Sequence, residues 1–467
     1  FENNPHSYHG YAIQNYLDVD QRWGTKKDLE RLVDKAHKLD IRVFLDVVLH
    51  HSGDNWSYPF DYDYYYANGE RFPLGDWREK DRPLPIELRD PELYNRKGQI
   101  RNFDKYPETQ EGDFLTLKTF RNDGSPESEK LGKLLAAIHC YWIRETDVDG
   151  FRLDAVKHMK GQDISRFCSS IREYAYSLGK RNFFLFGEII GNDETGNSYI
   201  GPKMLPEDQN VYYGLDSVLD HPLHSVLAGV IKGVSSPERL LERYASLQRN
   251  ALSRGEYGDF LVTYIDDHDQ VGTNFKHRFG YNATPEQIVA GMGFLLCALG
   301  TPCIYYGTEQ GLDGNGIDDR YIREGMFDPN DTETNLLNRN SWIYGKIADL
   351  AKLRQTEPIL KFGRMYFRKT SKNTVDFHYP NCEECLLTFS RVLHNGEILV
   401  VYNSSPKDVK VEYVLIDATI NNAGGHMKCI YGGKTKVKVQ KKLDRQDSRL
   451  YIKLKVKPME FLIFKNS

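Results

Sequence analysis

Apolar residues recur at helical spacing over 29–39, and the pattern runs into a nearly continuous apolar stretch over 41–49 that ends in His50 and His51. A helix leading into a buried parallel strand is the reading this supports. Helical periodicity returns over 128–145, and a short apolar strand at 148–153 ends at Asp154. The same alternation continues with a helix at 164–178 and a strand at 183–186 followed by Glu188, then a strand at 214–219, a helix at 237–252 and a strand at 260–265 that ends in Asp266, Asp267, His268 and Asp269. A last cycle places a helix at 285–299, a strand at 303–306 and a helix at 341–354. Repeated helix and strand units with polar residues at the strand ends predict a (β/α)8 TIM barrel, whose active site is assembled from those ends. An open doubly wound sheet is disfavoured because no glycine-rich phosphate fingerprint follows any strand.

Two stretches break the alternation. Residues 52–127 are irregular, polar and rich in Tyr, Asp, Pro and Gly, too long for an ordinary connection and better read as an inserted lobe. Residues 358–467 carry short alternating strands separated by Asn, Gly and Pro turns, which predicts an all-β sandwich domain. The expected domains are therefore a barrel over 1–51 and 128–357, an inserted domain over 52–127 and a C-terminal domain over 358–467.

Composition narrows the classes of function. The 467 residues carry Lys+Arg 62 against Asp+Glu 66, a net charge of −4, which gives no support to a nucleic-acid partner. No apolar run approaches the length needed to cross a bilayer. Seven thinly spread cysteines do not suggest a disulfide scaffold and leave the compartment open, and Cys382 and Cys385 form a lone CxxC with no second pair at zinc spacing. Membrane association and oligomeric state are not legible.

Candidate chemistry gathers at the strand ends. Asp154, Glu188 and Asp269 follow three separate strands, and glycosidic cleavage with retention needs a carboxylate nucleophile and a carboxylic acid close together. Arg152 lies two residues before Asp154, so on a strand both side chains point to one face, where the guanidinium can hold the carboxylate. His51 and His268 also sit at strand ends, where an imidazole can donate to a sugar hydroxyl.

The blocks Asp46-Val-Val-Leu-His-His51, Gly150-Phe-Arg-Leu-Asp-Ala-Val-Lys-His158, Phe186-Gly-Glu188 and Asp266-Asp-His-Asp269 resemble those of the α-amylase family, glycoside hydrolase family 13, in order and spacing. Tyr8-His-Gly-Tyr11 and Gly300-Thr-Pro-Cys-Ile-Tyr-Tyr-Gly307 extend the resemblance over roughly residues 8 to 310. It implies Asp154 as nucleophile, Glu188 as acid/base and Asp269 as transition-state stabiliser, with Arg152, His51 and His268 around the scissile sugar. It also implies Tyr11 as an aromatic platform with His9 beside it, and Lys157 and His158 on the leaving-group side. The implied activity is an endo-acting, retaining α-1,4-glucan hydrolase on starch, glycogen or maltooligosaccharides. α-Glucosidase, cyclomaltodextrinase and α-glucan transglycosylase of the same family are the alternatives, and a non-catalytic glucan-binding subunit is the reading from a different class.

Departures from the family pattern also carry expectations. The chemistry requires no cofactor. The resemblance implies a structural calcium, yet His50 stands where the family has an asparagine ligand, and imidazole is a poor ligand for hard calcium. Asp113 of the inserted lobe is a candidate ligand, and the metal site stays unassigned. Asp267 replaces the usual asparagine and Ala12 a frequent tryptophan. Only seven residues precede the Tyr-His-Gly-Tyr segment, so the first two barrel strands are expected to lie outside this chain.

Overall fold

A computed structural model describes residues 1–60, 70–204, 210–249, 251–252, 255–270, 277–316, 318–327, 336–443 and 448–467. The chain divides into two compact units, Phe1–Leu219 and Asp220–Ser467.

In the first unit the helix Lys26–His37 begins at a capping box, in which Thr25 accepts the Asp28 amide and the Asp28 carboxylate accepts the Thr25 amide. It leads into the strand Phe44–Val48, which pairs in parallel with Gly150–Asp154, placing Val48 opposite Asp154. Phe184–Gly187 and Ser217–Leu219 continue this parallel sheet. A Cβ at Gly150 would meet the Phe44 ring at 2.1 Å and the Phe184 carbonyl oxygen at 2.2 Å, so three strands can close on one another only with glycine there. The helices Pro126–Thr146 and Gly161–Ser177 alternate with these strands, and the first ends at Asp147 in a left-handed conformation. The strand Gly150–Asp154 is buried at every residue, as expected of a parallel strand covered on both faces, yet it carries Arg152 and Asp154 among its apolar residues. That exception marks the site.

Among the described residues of the segment over 52–127 the regular structure consists of short 3-10 turns, the helical turn Glu108–Glu111, and the strand Lys118–Thr119 paired with His51–Ser52. Its interior is aromatic, with fully buried Trp56, Tyr94 and Phe120.

The second unit holds the parallel pair Leu261–Thr263 and Thr301–Pro302 with the helices His221–Ile231, Pro285–Cys297 and Trp342–Thr356. Two antiparallel sheets follow. One runs Arg364–Phe367, Leu386–Leu393, Gly396–Asn403, Phe461–Asn466, His426–Tyr431, Lys436–Lys438, and the other Thr370–Ser371, Lys410–Leu415, Ser448–Val456, Gln440–Leu443. Leu399, Val401, Val414, Met427, Ile452 and Phe464 belong to one buried apolar cluster drawn from both sheets, the core of a β-sandwich. Parallel barrel-type strands with alternating helices and a C-terminal sandwich are thus both present.

Some boundaries differ from the periodicity. The strand expected at 303–306 is Thr301–Pro302 instead: the Cys303 amide makes one more bond to the Thr263 carbonyl (2.7 Å), and the chain then turns away toward Gly307, whose φ is 85°. The helix expected to reach 252 ends at Arg249, and Ala251–Leu252 pair with Gly255–Glu256. Among the described residues no helix is long and apolar enough to cross a membrane.

Candidate active site

Arg152 organises the first unit's site. Its side chain leaves the strand on the same face as Asp154, and its Nη1 donates to Asp154 Oδ1 (2.7 Å) and to Asp46 Oδ1 (2.8 Å), while Nη2 lies 3.0 Å from Glu188 Oε2. Asp46 and Glu188 come from the strands on either side of Arg152, so the parallel register itself brings the three acids to one cation. Arg152, Asp154 and Glu188 are buried, whereas the Asp46 side chain is 40% exposed. Burial pushes the Asp154 carboxyl well above its ordinary range, opposed by Arg152 and reinforced by the neighbouring charges of Glu188 and Asp46. The three carboxylates hold the guanidinium firmly protonated against its own burial. One cation facing several carboxylates favours a shared proton, the electrostatic condition that sets an acid beside a nucleophile.

The backbone contributes a donor to this cluster. Immediately after Asp154 the chain turns left-handed at Ala155, with φ 52°, and the Ala155 amide donates to Glu188 Oε2 (3.1 Å). A non-glycine residue in that region costs about 1–2 kcal/mol. The return is a fixed orientation for Glu188, whose own amide donates to the Leu153 carbonyl (2.8 Å).

Tyr11 closes one side: its hydroxyl donates to Asp46 Oδ2 (2.8 Å) and the Arg152 guanidinium lies 5.8 Å from its ring centre. His9 accepts the Tyr11 amide on Nδ1 (3.0 Å) and stacks on its ring at 6.0 Å between centres. His51 is fully buried, which drives its pKa down to about 3 and keeps it neutral. Its Nδ1 contacts His50 Nδ1 (3.2 Å), and its buried Nε2 makes no hydrogen bond among the described residues. His158, pushed down to about 4 by burial, donates Nδ1–H to the Thr109 carbonyl (2.6 Å), leaving Nε2 as the acceptor nitrogen. Lys157 pairs with Asp104 of the inserted segment.

Asp269 and His268 lie in the second unit. Asp269 Oδ1 accepts from Arg323 Nη2 (2.7 Å), and Arg323 Nε also donates to the His268 carbonyl (3.0 Å). Asp267 Oδ1 accepts the Asp269 amide (2.9 Å) and the Gln270 amide, so its carboxylate builds the turn that presents Asp269. Asp266 is buried beneath this turn, pushed up to about 7 by desolvation, and accepts from Thr308 Oγ1 (2.8 Å). Sequence reasoning did not find Arg323 or the amide of Ala155. Nothing in the polar run around Arg323 distinguishes it from Arg320, and a backbone donor has no residue type to recognise.

The residues at the expected calcium position do not fit the metal. His50 buries its ring against Phe114 at 4.7 Å and points Nδ1 at His51. Asp113 accepts the Thr119 amide on Oδ1 (2.9 Å) and the Tyr58 hydroxyl on Oδ2 (2.8 Å). Among the described residues no group of three or more His, Cys, Asp or Glu side chains is disposed to hold a metal ion.

The family described as alpha amylase, catalytic domain, matches residues 1–343. The chain belongs to the α-amylase family. It is 27% identical over 416 residues to an α-amylase of Streptomyces lividans, a match covering 76% of this chain and 42% of that protein. It is 28% identical over 413 residues to a beta/alpha-amylase of Paenibacillus polymyxa, covering 86% and 28%, and 27% identical over 376 residues to a Bacillus cyclomaltodextrinase, covering 79% and 57%. The chain thus spans less than two thirds of the length of these relatives. In fold, this α-amylase family chain is similar over its whole length to the α-amylase of Geobacillus thermoleovorans solved with acarbose, with a TM-score of 0.71 at 21% identity and 86% of that chain covered. The cyclomaltodextrin glucanotransferase CldA superposes with a TM-score of 0.70 at 22% identity, covering 98% of this chain and 82% of that one.

Proposed function

We propose that the protein is a retaining α-1,4-glucan hydrolase that cuts starch, glycogen or maltooligosaccharides within the chain. The observation that carries this reading is the single Arg152 guanidinium bound to both Asp154 and Glu188 at the ends of adjacent parallel strands. Such a pair supplies the nucleophile and the acid that retention requires.

In the proposed reaction Asp154 attacks the anomeric carbon as Glu188 delivers a proton to the departing glycosidic oxygen, leaving a β-glycosyl ester on Asp154. Glu188, now ionised, takes a proton from water, whose oxygen attacks the same carbon and expels Asp154. Two inversions retain the α anomer. Arg152 opposes the burial that pushes the Asp154 carboxyl up, favouring the ionised form that attacks. The family pattern assigns neutral His51 to a sugar hydroxyl. The family pattern assigns Asp269 and His268 to hydroxyls of the distorted ring, and Arg323 aims the Asp269 carboxylate. His9 and Tyr11 flank the ring, and Lys157 and His158 take the leaving-group side.

Reducing-end-labelled maltoheptaose tests the reading, with products sized over the first few per cent of conversion. Early mid-length fragments are expected. Glucose released singly reassigns the protein to α-glucosidase, and products longer than the substrate reassign it to transglycosylation.

Two substitutions examine the roles. Glu188→Gln is expected to slow maltoheptaose hydrolysis by about 10²–10⁴-fold, the usual worth of a general acid. Activated aryl glycosides, whose leaving groups need little protonation, should suffer far less, and equal losses on both substrates contradict the acid role. Arg323→Met is expected to lower kcat/KM about tenfold, on the scale of one hydrogen bond to a charged group in a partly exposed pair. An unchanged rate would remove Arg323 from the proposal.

A further inference from the structure

The inserted segment is held together around a buried ammonium and tied to the turn after Asp154 by a carboxamide. Lys118 is only 5% exposed, and its ammonium lies 3.3 Å from Asp54 Oδ1 and over the rings of Trp56 and Tyr58, at 5.0 and 5.4 Å from their centres. Arg78 Nη2 meets the other oxygen of Asp54 at 3.0 Å. The same ammonium opposes the burial that raises the Asp113 carboxyl. Asn122 donates its carboxamide to the Gln110 carbonyl (2.8 Å) and to the His158 carbonyl (3.3 Å), tying the inserted segment to the turn that follows Asp154. Thr119 Oγ1 donates to the Gly112 carbonyl (2.7 Å), and the ring of Phe114 packs on both His50 and His158, at 4.7 and 4.5 Å between centres.

A structural divalent cation at such a junction does two things: it neutralises buried carboxylates, and it gathers carbonyl oxygens from segments distant in sequence. Here an ammonium does the first and a carboxamide does the second. A divalent cation placed at the buried Asp113 carboxylate would meet the charge of Lys118, which already acts on that group, and like charges repel strongly in a buried setting. The carbonyl of His158, an oxygen of the type calcium takes as a ligand, already accepts from Asn122.

We propose that Lys118 and Asn122 take the place of the family's structural cation, so that this junction folds and holds without calcium. The proposal rests on the family assignment, which is what implies the metal. It does not require the proposed hydrolysis, because its readout is stability.

The test is the thermal midpoint of the full chain measured without substrate, in excess chelator and in excess calcium. The same midpoint in both is expected, and a fall of several degrees in chelator that calcium reverses overturns the proposal. Lys118→Met is expected to lower the midpoint by several degrees, with calcium giving no recovery, while Lys118→Arg, which keeps the charge, stays closer to the native value. An unchanged midpoint in Lys118→Met overturns the role of the ammonium. Should the methionine variant not fold, Asn122→Ala supplies the second measurement: a lower midpoint that calcium does not restore supports the proposal, and an unchanged one overturns the role of the carboxamide.

Discussion

Asp154→Asn is expected to reduce hydrolysis of maltoheptaose by at least about 10³-fold while leaving the fold intact, because a carboxamide cannot form the glycosyl ester on which a covalent mechanism depends. The substitution is nearly isosteric. Its carbonyl oxygen can still accept from Arg152 Nη1, now 2.7 Å from Asp154 Oδ1, and Arg152 keeps Asp46 and Glu188 as counter-charges. The native carboxyl is itself disfavoured by burial and by neighbouring acids, so removing its charge should leave the unfolding midpoint level or raise it. Loss of rate without loss of stability is therefore the signature to look for, with rates followed by product sizing and stability by thermal unfolding. A residual rate equal to the native one would remove Asp154 as nucleophile.

The second large effect concerns Arg152. Arg152→Met removes the guanidinium that Asp154 and Glu188 share, and breaking a buried pair by deleting one partner typically costs about 3–5 kcal/mol. Hydrolysis should fall with it, since without the guanidinium the Asp154 carboxyl moves further from the ionised form that attacks. Arg152→Lys should recover only part of either property: a single ammonium cannot reproduce contacts made simultaneously by Nη1 and Nη2 to acids on different strands. The pH dependence distinguishes this mechanism from a packing defect. The Asp154 carboxyl already sits above its ordinary range in the folded protein, and without Arg152 it moves further in that direction. A carboxyl raised in the folded state binds protons more readily there than in the unfolded chain, so the stability of Arg152→Met relative to native should recover as pH falls from neutrality toward the ordinary carboxylate range. Urea unfolding at several pH values reads this directly, and a deficit that does not change with pH would point to lost packing instead.

Much of the architecture was legible from periodicity because long elements average out local ambiguity. The helix expected at 128–145 is Pro126–Thr146, and that at 164–178 is Gly161–Ser177. The short strands near residues 300–306 were placed less well, since an apolar run of four residues carries no period and the hydrogen bond that ends the ladder lies in a distant strand. The pairing of Arg152 with Asp154 followed from alternation along a single strand and needed no tertiary knowledge. The convergence of Asp46 and Glu188 on the same guanidinium did need it, because parallel register between strands remote in sequence is set by packing and by the close approach at Gly150.

By itself, then, the sequence determined the alternation of helices and strands, the all-β character of the C-terminal region, and the residue types standing at strand ends, since these depend on local periodicity and composition. Tertiary structure alone decided that one buried cation serves three acids, that the left-handed turn at Ala155 aims an amide at Glu188, that Arg323 holds Asp269, and that Lys118 and Asn122 occupy the junction of the inserted segment. Those arrangements are products of burial and of contacts between residues remote along the chain, and burial is what converts an ordinary charge or amide into a group that must find its partner.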